Sequence, residues 1–236
     1  MTVATFHALV FWFPAFLFST TVHEAAHAWA ALRGGDDTAA RGGQASLSPW
    51  PHIRRAPMGM LVVPLVMSFL QGWTLGWASA PYDAEWAERH PRRAALMAAA
   101  GPAGNLAIAI AAFALLRIGL VLGVYAAPAH VAFDRLVESA VAADPLGVVA
   151  FSAIGLSVLL TLNMLLFTFN LLPLPPLDGA AVLALGLPAR AASRVRAFAS
   201  APGMSFVGLL AAWRLFPALS EPVFRCVVAA LHPGQY

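Results

Sequence analysis

"FLFSTTVHEAAHAWAAL", Phe16 to Leu32, decides how the chain is read. The stretch is apolar enough for a membrane helix, yet His23, Glu24 and His27 lie in its middle. Ionisable groups are expensive in lipid, and where they occur they mark working sites. On a helix, positions i and i+4 share one face, so the two imidazoles can hold one Zn²⁺. Glu24 then lies beside the ion, placed to take a proton from an attacking water and hand it to a leaving amine. Ala25 and Ala26 keep the helix surface low there. The competing reading is two core histidines and a buried acid, which leaves three costly polar groups unpaired.

Working outward, composition puts this helix in a bilayer. The 236 residues are 60% hydrophobic and 11% charged, whereas soluble domains carry about 25% charged residues. Several windows run for roughly 18 residues or more with at most one charge, enough to cross a membrane. We expect an all-α polytopic membrane protein with about 4–6 transmembrane helices. It forms one integral-membrane domain over residues 1–236, with a core over 3–187 and C-terminal helices over 188–236. All fourteen basic residues are arginine, and the net charge of +3 is too small and too scattered for nucleic-acid binding. Cys226 stands alone, which excludes an intrachain disulfide and a cysteine zinc cluster. The N-terminal stretch lacks a basic n-region and reads as part of the first span.

Span one covers about Val3 to Leu32. The polar, Gly-rich stretch Arg33 to Pro57 predicts short strands or loops. An apolar block from Met58 to Trp77 is interrupted by Pro64, Gln71, Gly72 and Gly76. Further blocks cover Ala94 to Leu116, Leu146 to Phe169 and Met204 to Leu219. The piece from Glu221 onward is expected at the interface, with Arg214 snorkelling or paired to Glu221. Segments 33–57, 78–93, 117–145 and 188–203 hold four, three, two and three arginines, the third balanced by acids. The positive-inside rule puts the first, second and fourth in the cytoplasm. That requires Met58 to Trp77 to be a re-entrant or short-strand element between the first two core helices; a complete span is the rival.

A catalytic zinc takes three protein ligands and leaves one position open. Residue 33 is arginine, and no glutamate lies between Glu24 and Glu85. The candidate third ligand is Asp178, in "NLLPLPPLDG", Asn170 to Gly179. Pro173, Pro175 and Pro176 end the preceding helix and predict an extended chain over Leu172 to Leu177. Alone, Asp178 reads equally well as a helix cap; beside an incomplete zinc site it reads as a ligand. With Met58 to Trp77 re-entrant, span one and the fourth block both run inward, so His23, His27 and Asp178 meet at one depth.

In this order and on separate apolar segments, "HEAAH", "AGPAGN" (Ala100 to Asn105) and "FNLLPLPPLDG" (Phe169 to Gly179) resemble the site-2 protease family of intramembrane zinc metalloproteases. The likeness is to the compact bacterial members without a PDZ domain, and it covers about Phe16 to Leu185. It implies one Zn²⁺ per chain on His23, His27 and Asp178, Glu24 as catalytic base, and Asn170 holding the scissile carbonyl or oxyanion. It implies hydrolysis of a peptide bond in or near the transmembrane segment of another protein, from the cytoplasmic side of a bacterial inner membrane. "SPWPHIR" is similar to an Asn-Pro-x-x-His-x-Asp stretch, but Ser48 stands for Asn and Arg54 for Asp. His52 there either supports the site or contacts substrate, or is an ordinary interfacial histidine. Asn105 is expected to make an interhelical hydrogen bond, and Asn163 to support the site from the face that carries Asn170. Leu172 and Leu174 are candidate substrate contacts, on a strand that could pair with unwound substrate. A divalent-metal transporter and an inactive membrane binding partner are the alternative classes.

Overall fold

The computed structural model describes residues 2–235, with the side chains of Ala189 and Arg196 outside that description. α1 covers Val3–Gly34 and includes a π-turn at Ala8–Trp12. Short helices α2 (Thr38–Arg41), α3 (Pro49–Arg55), α4 (Met58–Gln71) and α5 (Ala84–Arg89) lead to the long α6 (Pro91–Val121). A two-stranded antiparallel pair, β1 (Tyr125–Ala126) and β2 (Glu138–Ser139), precedes α7 (Val148–Asn170). Then come α8 (Asp178–Leu183), α9 (Ala189–Ala199) and α10 (Met204–Leu231). Three helices, α1, α6 and α7, are long and apolar enough to cross a membrane. Counting the bent pairs α3–α4 (114°) and α9–α10 (92°) as one span each gives five. The chain is thus an all-α polytopic membrane protein.

α6 lies between α1 and α7 and packs on both. Its buried face is built from Ala95, Ala98, Gly101, Asn105, Ala109 and Ala112. Small side chains let helices approach closely where lipid supplies no hydrophobic drive for association. One apolar cluster joins Ala109, Ala112 and Leu116 of α6 to Leu160 of α7 and Leu231 of α10. A second joins Trp12 and Phe16 of α1 to Val158 and Leu162 of α7.

Met58 to Trp77 turns back on itself. α4 ends at Gly72, and the chain returns extended until the Trp77 N–H donates to the Gly59 carbonyl at 3.0 Å. A Cβ on Gly59 would collide with the Trp77 carbonyl, and one on Gly76 with the Gly59 carbonyl. Two glycines therefore permit the backbones to touch, and the block begins and ends at one level. The block is thus a hairpin of helix and extended return.

Three expectations change. Arg33 to Pro57 contains helices α2 and α3 instead of strands. Pro49 opens α3 with its φ already helical, and the Ser48 hydroxyl accepts the Trp50 N–H at 3.4 Å. Leu172 to Leu177 is a series of turns. The N–H groups of Leu172, Leu174 and Leu177 donate to the carbonyls of Phe169, Leu172 and Leu174 at 3.1, 2.8 and 2.9 Å. Proline fixes φ near −65°, which suits turns as well as extended chain, so ψ decides. Finally, α10 continues through Pro217 and Pro222 to Leu231, and Glu221 pairs with Arg225 at 2.7 Å, not with Arg214. Prolines are tolerated inside membrane helices when neighbours satisfy the freed backbone groups.

Candidate metal centre

His23 and His27 project from one face of α1, and Asp178 is the first residue of α8. The His23 Nε2 lies 3.2 Å from Asp178 Oδ2, and the His27 Nε2 lies 3.4 Å from Asp178 Oδ1. The two Nε2 atoms are 2.9 Å apart. Residues separated by more than 150 positions in sequence thus converge, as the depth argument required.

The other ring nitrogens fix the proton positions. His23 Nδ1 faces Asn105 Oδ1 at 2.6 Å, and His27 Nδ1 faces the Met97 carbonyl at 2.7 Å. Asn105 Oδ1 is the acceptor, because Asn105 Nδ2 donates to Asn163 Oδ1 (2.9 Å) and the Ser19 carbonyl (3.4 Å). Both Nδ1 atoms therefore carry hydrogen, and in neutral rings both Nε2 lone pairs point at each other and at a carboxylate. Converging lone pairs repel unless a cation sits among them. The separations of 2.9, 3.2 and 3.4 Å match the edge of about 3.3 Å of a tetrahedron with zinc-ligand arms of about 2.0–2.1 Å. Two imidazoles and a carboxylate, with the outer nitrogens held by a carboxamide and a main-chain carbonyl, could hold a metal ion, and the donor types suit zinc.

α6 leaves room for this cluster at Gly101. A Cβ there would collide with the Nε2 atoms of both histidines. Glu24 is 4% exposed, and its Oε2 has no hydrogen-bond partner. A buried carboxylate oxygen without a donor is costly. Here it is adjacent in sequence to a ligand and free to receive a proton.

The remaining candidates divide. Asn105 and Asn163 are fully buried and link three helices, since the Asn163 Nδ2 also donates to Ser19 Oγ at 2.8 Å. The Asn170 Nδ2 donates to the Leu166 carbonyl of its own helix at 2.9 Å. Leu172 is 5% exposed and packs with Leu177 and Ala212, with the partly buried Leu174 against them. His52 is fully buried, with its Nε2 on the Ser46 carbonyl at 3.0 Å. It ties the loop before α3 to that helix. Sequence reasoning missed three participants: Ser19, Met97 and Gly101. Ser19 carried a signal, lying one turn before His23 on the same face. Met97 contributes only a main-chain carbonyl, which no residue type announces.

The sequence pattern of peptidase family M50 matches residues 11–211. The chain is 33% identical over 166 residues to the "Putative zinc metalloprotease YwhC" of Bacillus subtilis (strain 168), covering 70% of this chain and 64% of that one. The match thus spans less than two thirds of that relative's length. No solved structure matches the chain.

Proposed function

The chain belongs to peptidase family M50, and from that membership and the geometry above we propose that it is a zinc-dependent endopeptidase of the membrane, cutting in or near the transmembrane segment of another protein. The observation that carries the reading is the convergence of His23, His27 and Asp178 donor atoms within 4.8 Å beside a buried, unpartnered Glu24. His23, His27 and Asp178 would hold one Zn²⁺. Zinc bound there supplies Lewis acidity, polarising the scissile carbonyl and lowering the pKa of water.

The chain's own residues supply the rest. The Glu24 carboxylate takes a proton as the water oxygen bonds to the carbonyl carbon, and returns it to the amide nitrogen as the C–N bond breaks. Asn105 and Met97 keep hydrogen on the two Nδ1 atoms, so the Nε2 lone pairs stay available. Asn170 Nδ2 carries two hydrogens; one is held by the Leu166 carbonyl, and the second is left to serve the developing oxyanion. In this reading the substrate enters from lipid, and the arginine-rich loops support a site toward the cytoplasmic side of a bacterial inner membrane.

The test is to purify the protein, measure bound zinc, and assay cleavage of candidate membrane substrates with wild type and Glu24→Gln. Zinc retained with cleavage down by 10²-fold or more, on the order of a lost general base, supports the reading. Cleavage unchanged in Glu24→Gln sinks the mechanism, and metal flux without cleavage points to a transporter.

A further inference from the structure

Away from the metal centre, a cavity of about 460 Å³ opens among the arginine-rich loops. Thr38, Gln44, Pro51, Arg54, Arg55 and Pro81 line it, with no carboxylate among the lining residues. Nearby acids are already engaged: Asp36 accepts from Thr38 and Asp83, and Asp37 pairs with Arg41 at 2.8 Å. Among the described residues, neither Arg54 nor Arg55 has a carboxylate partner. The Thr38 hydroxyl donates to Asp36 and one Gln44 N–H to Ser79, so the charged donors of the cavity are the two guanidinium groups.

The rim is apolar. Leu47 and Trp50 are 55% and 56% exposed, and the Arg54 guanidinium lies 4.9 Å above the Trp50 ring. Three residues beyond Arg55 the apolar helix α4 begins, with Met58, Leu61 and Val62 exposed. A free anion would need only the charge. A cationic cavity followed closely in sequence by an exposed apolar helix suits a molecule with both parts. The geometry points to a bound anionic phospholipid, its phosphate between Arg54 and Arg55 and its chains along Met58, Leu61 and Val62. Guanidinium groups bind phosphate through paired N–H donors, and tryptophan favours the headgroup level. A lipid seated there bridges α3 to the start of the returning segment.

The experiment is native mass spectrometry of the full chain released from nanodiscs of phosphatidylcholine with or without phosphatidylglycerol. One phosphatidylglycerol per chain should survive on wild type, and Arg54→Gln with Arg55→Gln should retain it at least tenfold less. Arg190→Gln with Arg194→Gln, on the basic helix α9, is the control and should retain it as wild type does. Equal retention of phosphatidylcholine, or loss in the control as well, overturns the site. Displacement by millimolar inorganic phosphate overturns the lipid and assigns the cavity to a free anion. If the double variant does not fold, photoactivatable phosphatidylglycerol on wild type decides. Crosslinks within residues 38–62 support the proposal, and crosslinks elsewhere overturn it.

Discussion

The proton on His23 Nδ1 is fixed by a chain of three buried residues. Ser19 Oγ orients Asn163, Asn163 orients Asn105, and Asn105 presents its oxygen to the histidine. The three come from α1, α7 and α6, and all are fully buried. Asn105→Ala would leave His23 Nδ1–H and Asn163 Oδ1 unpaired in a buried site. Loss of such a supporting partner lowers metal affinity by about 10–100-fold. We expect that loss in a competitive zinc titration, with the helix content of the protein unchanged. Zinc affinity equal to wild type would show that α1 alone fixes the ring. Asn105 was legible in sequence as an interhelical donor on a small-residue helix. Its bond to His23 was not, because the register between α1 and α6 is a tertiary quantity.

At the scale of the element, α6 is shaped around the metal centre at one position and around α1 at another. Gly101 faces both imidazole Nε2 atoms, where a methyl group has no space. Gly104, one turn on, would place its Cβ 3.4 Å from Val22 and 3.5 Å from Ala26, ordinary contact distances. The same substitution should therefore act differently at the two sites. Gly101→Ala should abolish stoichiometric zinc binding although every ligand remains. Gly104→Ala should bind zinc as wild type does and shift thermal stability by no more than about 1 kcal/mol, the helix propensity difference between the residues. Bound zinc per chain, measured on both, checks the pair. In sequence, a glycine of "AGPAGN" that meets a neighbouring helix and one that meets the histidines look alike. The turn over Leu172 to Leu177 hid for a related reason: prolines specify φ, and the ψ that folds the segment under Phe216 comes from packing.

Across the whole molecule, the arginine-rich face is a lid of loops held to the bundle by a few polar ties. Trp86 Nε1 and Arg93 both donate to the Gly34 carbonyl at the end of α1, at 3.0 and 3.1 Å. Gln44 reaches the Ser79 carbonyl at 3.3 Å, and the Asp83 N–H donates to Asp36 at 2.9 Å. These ties anchor the returning segment between Gly72 and Asp83, which otherwise has few hydrogen bonds of its own. Asp36 is the titratable one. Burial pushes its carboxyl upward, but the Thr38 hydroxyl and N–H and the Asp83 N–H more than offset this, and its pKa lies below the usual carboxylate value. A depressed native value means that the ionised carboxylate stabilises the folded state. That contribution is complete above the unfolded value of about 3.9 and fades as pH falls through the lower native one. At neutral pH, Asp36→Asn removes it at once. Hydrogen exchange should then quicken over Gly72 to Asp83 in the variant while zinc content stays at the wild-type level. Wild type should show the same loosening only below about pH 4. If exchange in the variant stays at the wild-type rate at neutral pH, the lid is held by Trp86 and Arg93 instead, and the Asp36 tie contributes nothing to it.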